Sequence, residues 1–260
     1  MDVDNTKPKP DTVTLRWSYS PITYFEGPFR FKENNCCWEF FDGSATATIN
    51  AKYPVNKSQI KNDLNKRIES IFNASLIYNH TPYKVSEPFM EGYDSKGNLW
   101  ITPVPINLNL SVSGPNIVIK DSNGNAIEDM KGNRLRDIEE FAKLSIKYSG
   151  DPAAQAILRN YKSAVGEPNS EFCHFYAIRE VLTTRFWSAT KVRSCLNLKK
   201  DDWTKLGKLC NEIPVQQGRH QGQKYEQFRK ATNVELEEAR IIVKTMVKQF
   251  FNYLQNSESH

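Results

Sequence analysis

The hydrophobic period of this chain changes near residue 130, and the change divides the fold in two. Before it, "TVTLRWSY" (12–19) and "CWEFFDGSATATINAKY" (37–53) alternate with period two, placing Ala45, Ala47 and Ile49 on one face and Thr46, Thr48 and Asn50 on the other. After it, apolar residues recur every three or four positions. Leu135, Ile138, Phe141 and Leu144 form one stripe, Ile157, Leu158 and Tyr161 a second, and Leu236, Ala239, Val243, Met246, Phe250 and Tyr253 a third.

Within the first half, one helix interrupts the strands. Ile60, Leu64, Ile68, Ile71 and Phe72 carry its spacing. Strands resume in "NLWITPVPINLNLSVSG" (98–114), and Asn123-Gly124 has the chemistry of a tight hairpin turn. The expected architecture is α+β: an N-terminal antiparallel sheet of four or five strands with one packed helix, followed by a C-terminal all-α helical bundle. The corresponding domains are 1–130, with a disordered tail over 1–11, and 131–260.

Punctuation in the second half is explicit. Gly150 sits where a helix should stop, and Asp151-Pro152 supplies a cap and a first-turn proline for the next. "GEPNSEFCHFYAIREVLTTRFW" gives a further helix, expected to bury Phe172, Phe175, Tyr176, Val181 and Leu182. Two shorter helices are expected over 189–196 and 202–210. Thr232 and Glu235 have capping-box spacing ahead of the last helix.

Composition narrows the class. With 39% apolar and 12% aromatic residues, 260 positions can fill a core, which argues against bulk disorder. No apolar run reaches the roughly 18 residues of a membrane span, and the N-terminus lacks a basic segment followed by an apolar core. Five cysteines, an odd number without a CxxC, suit a reducing compartment. A cytoplasmic protein is expected. No Walker loop, dinucleotide fingerprint, nucleophile elbow or H-E-x-x-H occurs, so no cofactor is expected.

The charge is unevenly placed. Residues 133–260 hold 21 Lys+Arg against 15 Asp+Glu, whereas residues 1–132 hold 14 against 15, so the whole surplus lies in the helical half. Such an excess suits an anionic partner. Lys199, Lys200, Lys205, Arg219 and Lys224 are the candidate contacts to nucleic acid.

"ATKVRSCLNLKKDDWTKLGK" (189–208) places Val192, Leu196, Leu198, Trp203 and Leu206 at packing positions and Asn197 at a turn. The stretch resembles the helix-turn-helix family, which implies that Lys199, Lys200, Asp201 and Lys205 face DNA. Arg193 stands where that family has a small residue.

"GRHQG" (218–222) sets a fixed cation beside an imidazole, between two glycines, ahead of the last helix. Metal-free RNA cleavage needs an acid, a base and a cation, and Arg219 with His220 could fill two of these roles. The layout over about 168–254 resembles HEPN-type helical domains. Their ribonucleolytic members separate the Arg and His by a few residues, whereas here the two are adjacent. The resemblance implies a metal-independent ribonuclease with His220 and Arg219 as its catalytic pair.

Glu171 and His174 share one helix face as E-x-x-H, and with Arg179 they could line a polar groove. A di-iron bundle needs a second copy of that motif, which is missing, and the Cys and His spacings do not fit zinc. No metal is expected. Three functions therefore stay open: a non-enzymatic binding or regulatory protein whose basic helical half recognises nucleic acid, a HEPN-like ribonuclease, and a structural subunit of a protein assembly. A protein partner is expected and a membrane is not, and the oligomeric state is left open.

Overall fold

The computed structural model describes residues 12–50, 56–94, 96, 98–102, 118–120, 126–219 and 227–258. Its elements run β1 (Thr12–Ser20), β2 (Phe29–Glu33), β3 (Cys36–Phe41), β4 (Ser44–Asn50), α1 (Lys57–Asn79), β5 (Lys84–Val85), β6 (Phe89–Tyr93), β7 (Leu99–Thr102), β8 (Val118–Lys120) and β9 (Ala126–Asp129). Helices follow: α2 (Met130–Lys147), α3 (Pro152–Gly166), α4 (Glu171–Phe186), α5 (Ala189–Cys195), α6 (Lys200–Asn211) and α7 (Asn233–Ser257). The fold is α+β, an antiparallel sheet first and helices after it.

Two compact units make up the chain. The first is Met1–Glu69 with Tyr83–Glu139; the second is Ser70–Pro82 with Glu140–His260. The division therefore falls inside α1 and α2, not at residue 131. Its physical reason is packing: within the second unit Tyr78 meets Phe141 edge-on at 6.2 Å, and Ser145 donates to the Ser70 carbonyl at 3.1 Å.

In the first unit the sheet is larger than the sequence suggests. Seven strands join in the order β2-β3-β4-β1-β6-β7, with β5 paired to one end of β1, and all pairings are antiparallel. The described part of the 37–53 segment, up to Asn50, is a hairpin of two strands, and the short β2, β5 and β6 escape a reading by periodicity because few residues carry each alternation. Expected strand positions 103–114 and the turn residues Asn123 and Gly124 lie outside the described residues, as does the expected tail; β8 and β9 do pair as a hairpin.

The sheet's buried face interlocks large residues with small ones. Trp17 stands opposite Ala45, and Trp38 opposite Ala47. The two indoles stack at 5.9 Å, and Trp17 Nε1 donates to Asn65 on α1 at 2.9 Å. Leu64 and Ile68 of α1 are buried, each such side chain contributing about 1.5–3 kcal/mol.

The second unit packs α3 on α4, and α4 in turn against α5, α6 and α7. Asp151 caps α3 by accepting from the Ala153 and Ala154 N–H groups, both at 2.9 Å. The capping box of α7 is present: the Glu235 N–H donates to Thr232 Oγ1 at 3.2 Å, and the Thr232 N–H donates to Glu235 Oε2 at 2.8 Å. Phe172, Phe175, Ile178, Leu182, Val243, Met246, Phe250 and Phe251 fill the core. Tyr176 and Val181 were expected inside α4's core face and are only half-buried. Ile178 takes the buried place, and Tyr176 turns toward the site described next.

Candidate anion-binding site

After α6 the chain makes a tethered turn. The Gly218 N–H donates to the Val215 carbonyl at 3.0 Å, and the Arg219 N–H to the Cys210 carbonyl at 2.9 Å. Gln217, only 8% exposed, accepts from the Ala231 N–H at 3.0 Å through its side chain. A parallel bridge joins Val215 to Arg229. The backbone at Arg219 is thus fixed by both α6 and the approach to α7.

From this turn the Arg219 guanidinium lies over Tyr176, its Cζ 4.7 Å from the ring centre. Its Nη1 donates to Glu180 Oε1 at 2.9 Å. Tyr176 and Glu180 are four residues apart on α4 and so share a face. Arg179 stands beside the same ring, 5.7 Å from its centre, and lies 4.5 Å from the centre of Trp203 on α6. The result is a ladder of alternating rings and cations: Trp203, Arg179, Tyr176, Arg219.

Gly207 makes the ladder possible. A Cβ at that position would sit 2.5 Å from Arg179 Nη1. An interior helical glycine usually costs about 1 kcal/mol relative to alanine, so its presence marks a close approach.

The electrostatics are unbalanced. Among the described residues two guanidiniums share the site with one carboxylate, Glu180, and that carboxylate is bound to Arg219. Among the described residues Arg179 has no acidic partner, and its Nε is buried without a hydrogen bond. The neighbouring thiols do not supply an anion: burial pushes Cys210 up to about 12 despite the opposing pull of Arg179, and burial likewise raises Cys173 against the pull of Arg219. Ring contacts stabilise a cation by about 0.5–2 kcal/mol but neutralise none of its charge. The ladder can therefore take an oxyanion, with guanidinium N–H groups as forked donors.

The other expected residues fall in different places. Lys199 and Lys200 are exposed at the start of α6, while Lys205 Nζ is 2.6 Å from Glu238 Oε1 and so is already paired. His220 and Lys224 lie outside the described residues. Asn197 adopts φ 48° between α5 and α6, a left-handed turn. Arg193 folds back on its own helix, donating to the Ala189 carbonyl at 3.2 Å.

Glu171, His174 and Arg179 do not converge on one groove. Glu171 is 1% exposed and holds Arg240 in two bonds, Nε to Oε1 at 2.7 Å and Nη2 to Oε2 at 2.8 Å. His80 Nε2 reaches the same Oε1 at 3.1 Å, and its Nδ1 meets the Tyr161 hydroxyl at 3.2 Å. Burial alone pushes the Glu171 carboxyl up, but the bonds from Arg240 and His80 outweigh it and hold it below its usual range. His174 instead pairs with Glu167 at 3.2 Å. The Glu171 cluster is a closed polar core, whereas the Arg179 ladder is half-buried.

Sequence reasoning did not find Tyr176, Trp203 or Gly207 as site residues. Tyr176 and Trp203 have apolar rings at helical spacing and so read as core. Gly207 carried the one usable signal, a glycine inside an amphipathic helix. Comparison with known proteins gives no match, whether to a family model, a curated protein or a solved structure.

Proposed function

We propose that this chain is a non-enzymatic binding or regulatory protein whose basic helical unit recognises an anionic partner, with nucleic acid as the favoured one. The single observation that carries the reading is Arg179: a guanidinium held between two rings, over a glycine cut-out, without an acidic partner among the described residues. A fold gains little from placing an unpaired cation there, and a phosphate would complete it. Arg219 adds a second guanidinium on the same ring, and Lys199 and Lys200 are exposed at the start of α6.

The test is titration of the full chain with labelled DNA and RNA in roughly 50 mM and 200 mM salt, followed by recovery of the nucleic acid. The reading expects saturable binding that weakens steeply with salt and returns the nucleic acid intact. Absence of retention at the lower salt contradicts it. Cleavage in the presence of chelator, lost in His220→Ala, would contradict the non-enzymatic part and favour the Arg219–His220 ribonuclease.

A further inference from the structure

Trp187 ends α4 in the left-handed region, φ 68°, with 87% of its surface exposed. A bulky residue there is a conformational outlier, and glycine is the usual choice for a helix end of this kind. The turn itself has a clear purpose. Phe186 points inward, meeting Tyr253 at 5.0 Å and Phe250 at 6.3 Å, and Ser188 then caps α5 by accepting from the Lys191 N–H at 3.2 Å. Nothing in that purpose requires an indole, because the side chain returns almost no burial to the fold.

Position 187 closes the helix that carries the ladder. It lies eleven residues beyond Tyr176, three helical turns or about 16 Å along the axis. One helix thus bears a cationic ladder near its start and a bare aromatic ring at its end.

We propose that α4 and its C-terminal end bind single-stranded nucleic acid: the ladder guanidiniums hold phosphates, and a base stacks on Trp187. The inference rests on the nucleic-acid reading above and adds the strandedness of the ligand. Single strands expose base faces to an aromatic platform, while a duplex keeps them stacked inside. The 16 Å span matches about five stacked nucleotides at ~3.4 Å each.

The experiment compares a labelled single strand of about 12 nucleotides with the duplex of equal length, using the full chain, Trp187→Ala and Trp187→Phe, in roughly 50 mM salt. The proposal expects the single strand to bind at least about tenfold more tightly, Trp187→Ala to lose about 5- to 150-fold on the single strand alone, and Trp187→Phe to keep most of the affinity. Equal affinity for duplex and single strand, with Trp187→Ala indistinguishable from the parent, overturns this inference and leaves the nucleic-acid reading standing. Binding of neither overturns both, as does capture of the chain by phosphatidylserine-rich vesicles when no oligonucleotide binds.

Discussion

Gly207 and Arg179 occupy one space: a Cβ on the glycine would lie 2.5 Å from the Nη1 of the arginine. This contact separates stability from function. Gly207→Ala should raise helix propensity by about 1 kcal/mol while displacing a flexible guanidinium. The expected outcome is a melting temperature that holds or rises, with affinity for single strands falling several-fold. Denaturation and anisotropy titration of the same preparation check both halves.

Glu171 and Arg240 form the opposite kind of pair, buried and mutually satisfied. Arg240→Ala leaves a carboxylate at 1% exposure with His80 as its remaining side-chain partner at Oε1, and should cost about 3 kcal/mol. Adding Glu171→Gln should restore much of the loss, since the uncompensated charge is then gone. Urea denaturation of the two single variants and the double variant measures this coupling.

The cap of α7 sets an acid limit. Glu235 accepts two bonds from Arg229 and one from the Thr232 N–H, and its carboxyl falls from 4.5 to about 2. A carboxyl lowered on folding gives stability that is complete above its unfolded value and lost as pH falls through the folded one. Stability should therefore decline between about pH 4.5 and 2. Glu235→Gln should flatten that part of the curve and, because Gln can keep the capping box, cost at neutral pH only the ion pair with Arg229, at most about 1 kcal/mol. An unchanged slope would show that this carboxyl is not responsible.

Trp187→Gly should stabilise the chain. A non-glycine residue in the left-handed region costs about 1–2 kcal/mol, and the exposed indole offers little in return. A rise in melting temperature together with lost single-strand affinity is the expected combination. A fall in stability would mean that the indole supports the fold.

Elements with long or well-punctuated patterns were legible before the structure. The α7 stripe, its Thr232–Glu235 box and the Asp151-Pro152 start are written in local chemistry, and so is the turn at Asn197. β2, β5 and β6 were not, because two to five residues leave periodicity little to act on. The site was legible only at its charged members. Arg179 and Arg219 are 40 positions apart, and what joins them is the ring of Tyr176, which carries no sign in sequence that it faces cations and not core. Glu171 misled for the converse reason: its spacing from His174 is that of a site, but its partners, His80 and Arg240, come from remote segments.

Phosphates held by the Arg179–Tyr176–Arg219 ladder must show in the salt dependence of binding with and without it. A labelled single strand titrated with the parent chain and with the Arg179→Ala/Arg219→Ala double variant, both verified as folded, gives two log–log slopes. Loss of two phosphate contacts should reduce the slope by about 1.4 and the affinity by at least about tenfold in roughly 50 mM salt. Identical slopes and affinities in the two folded proteins would contradict the account.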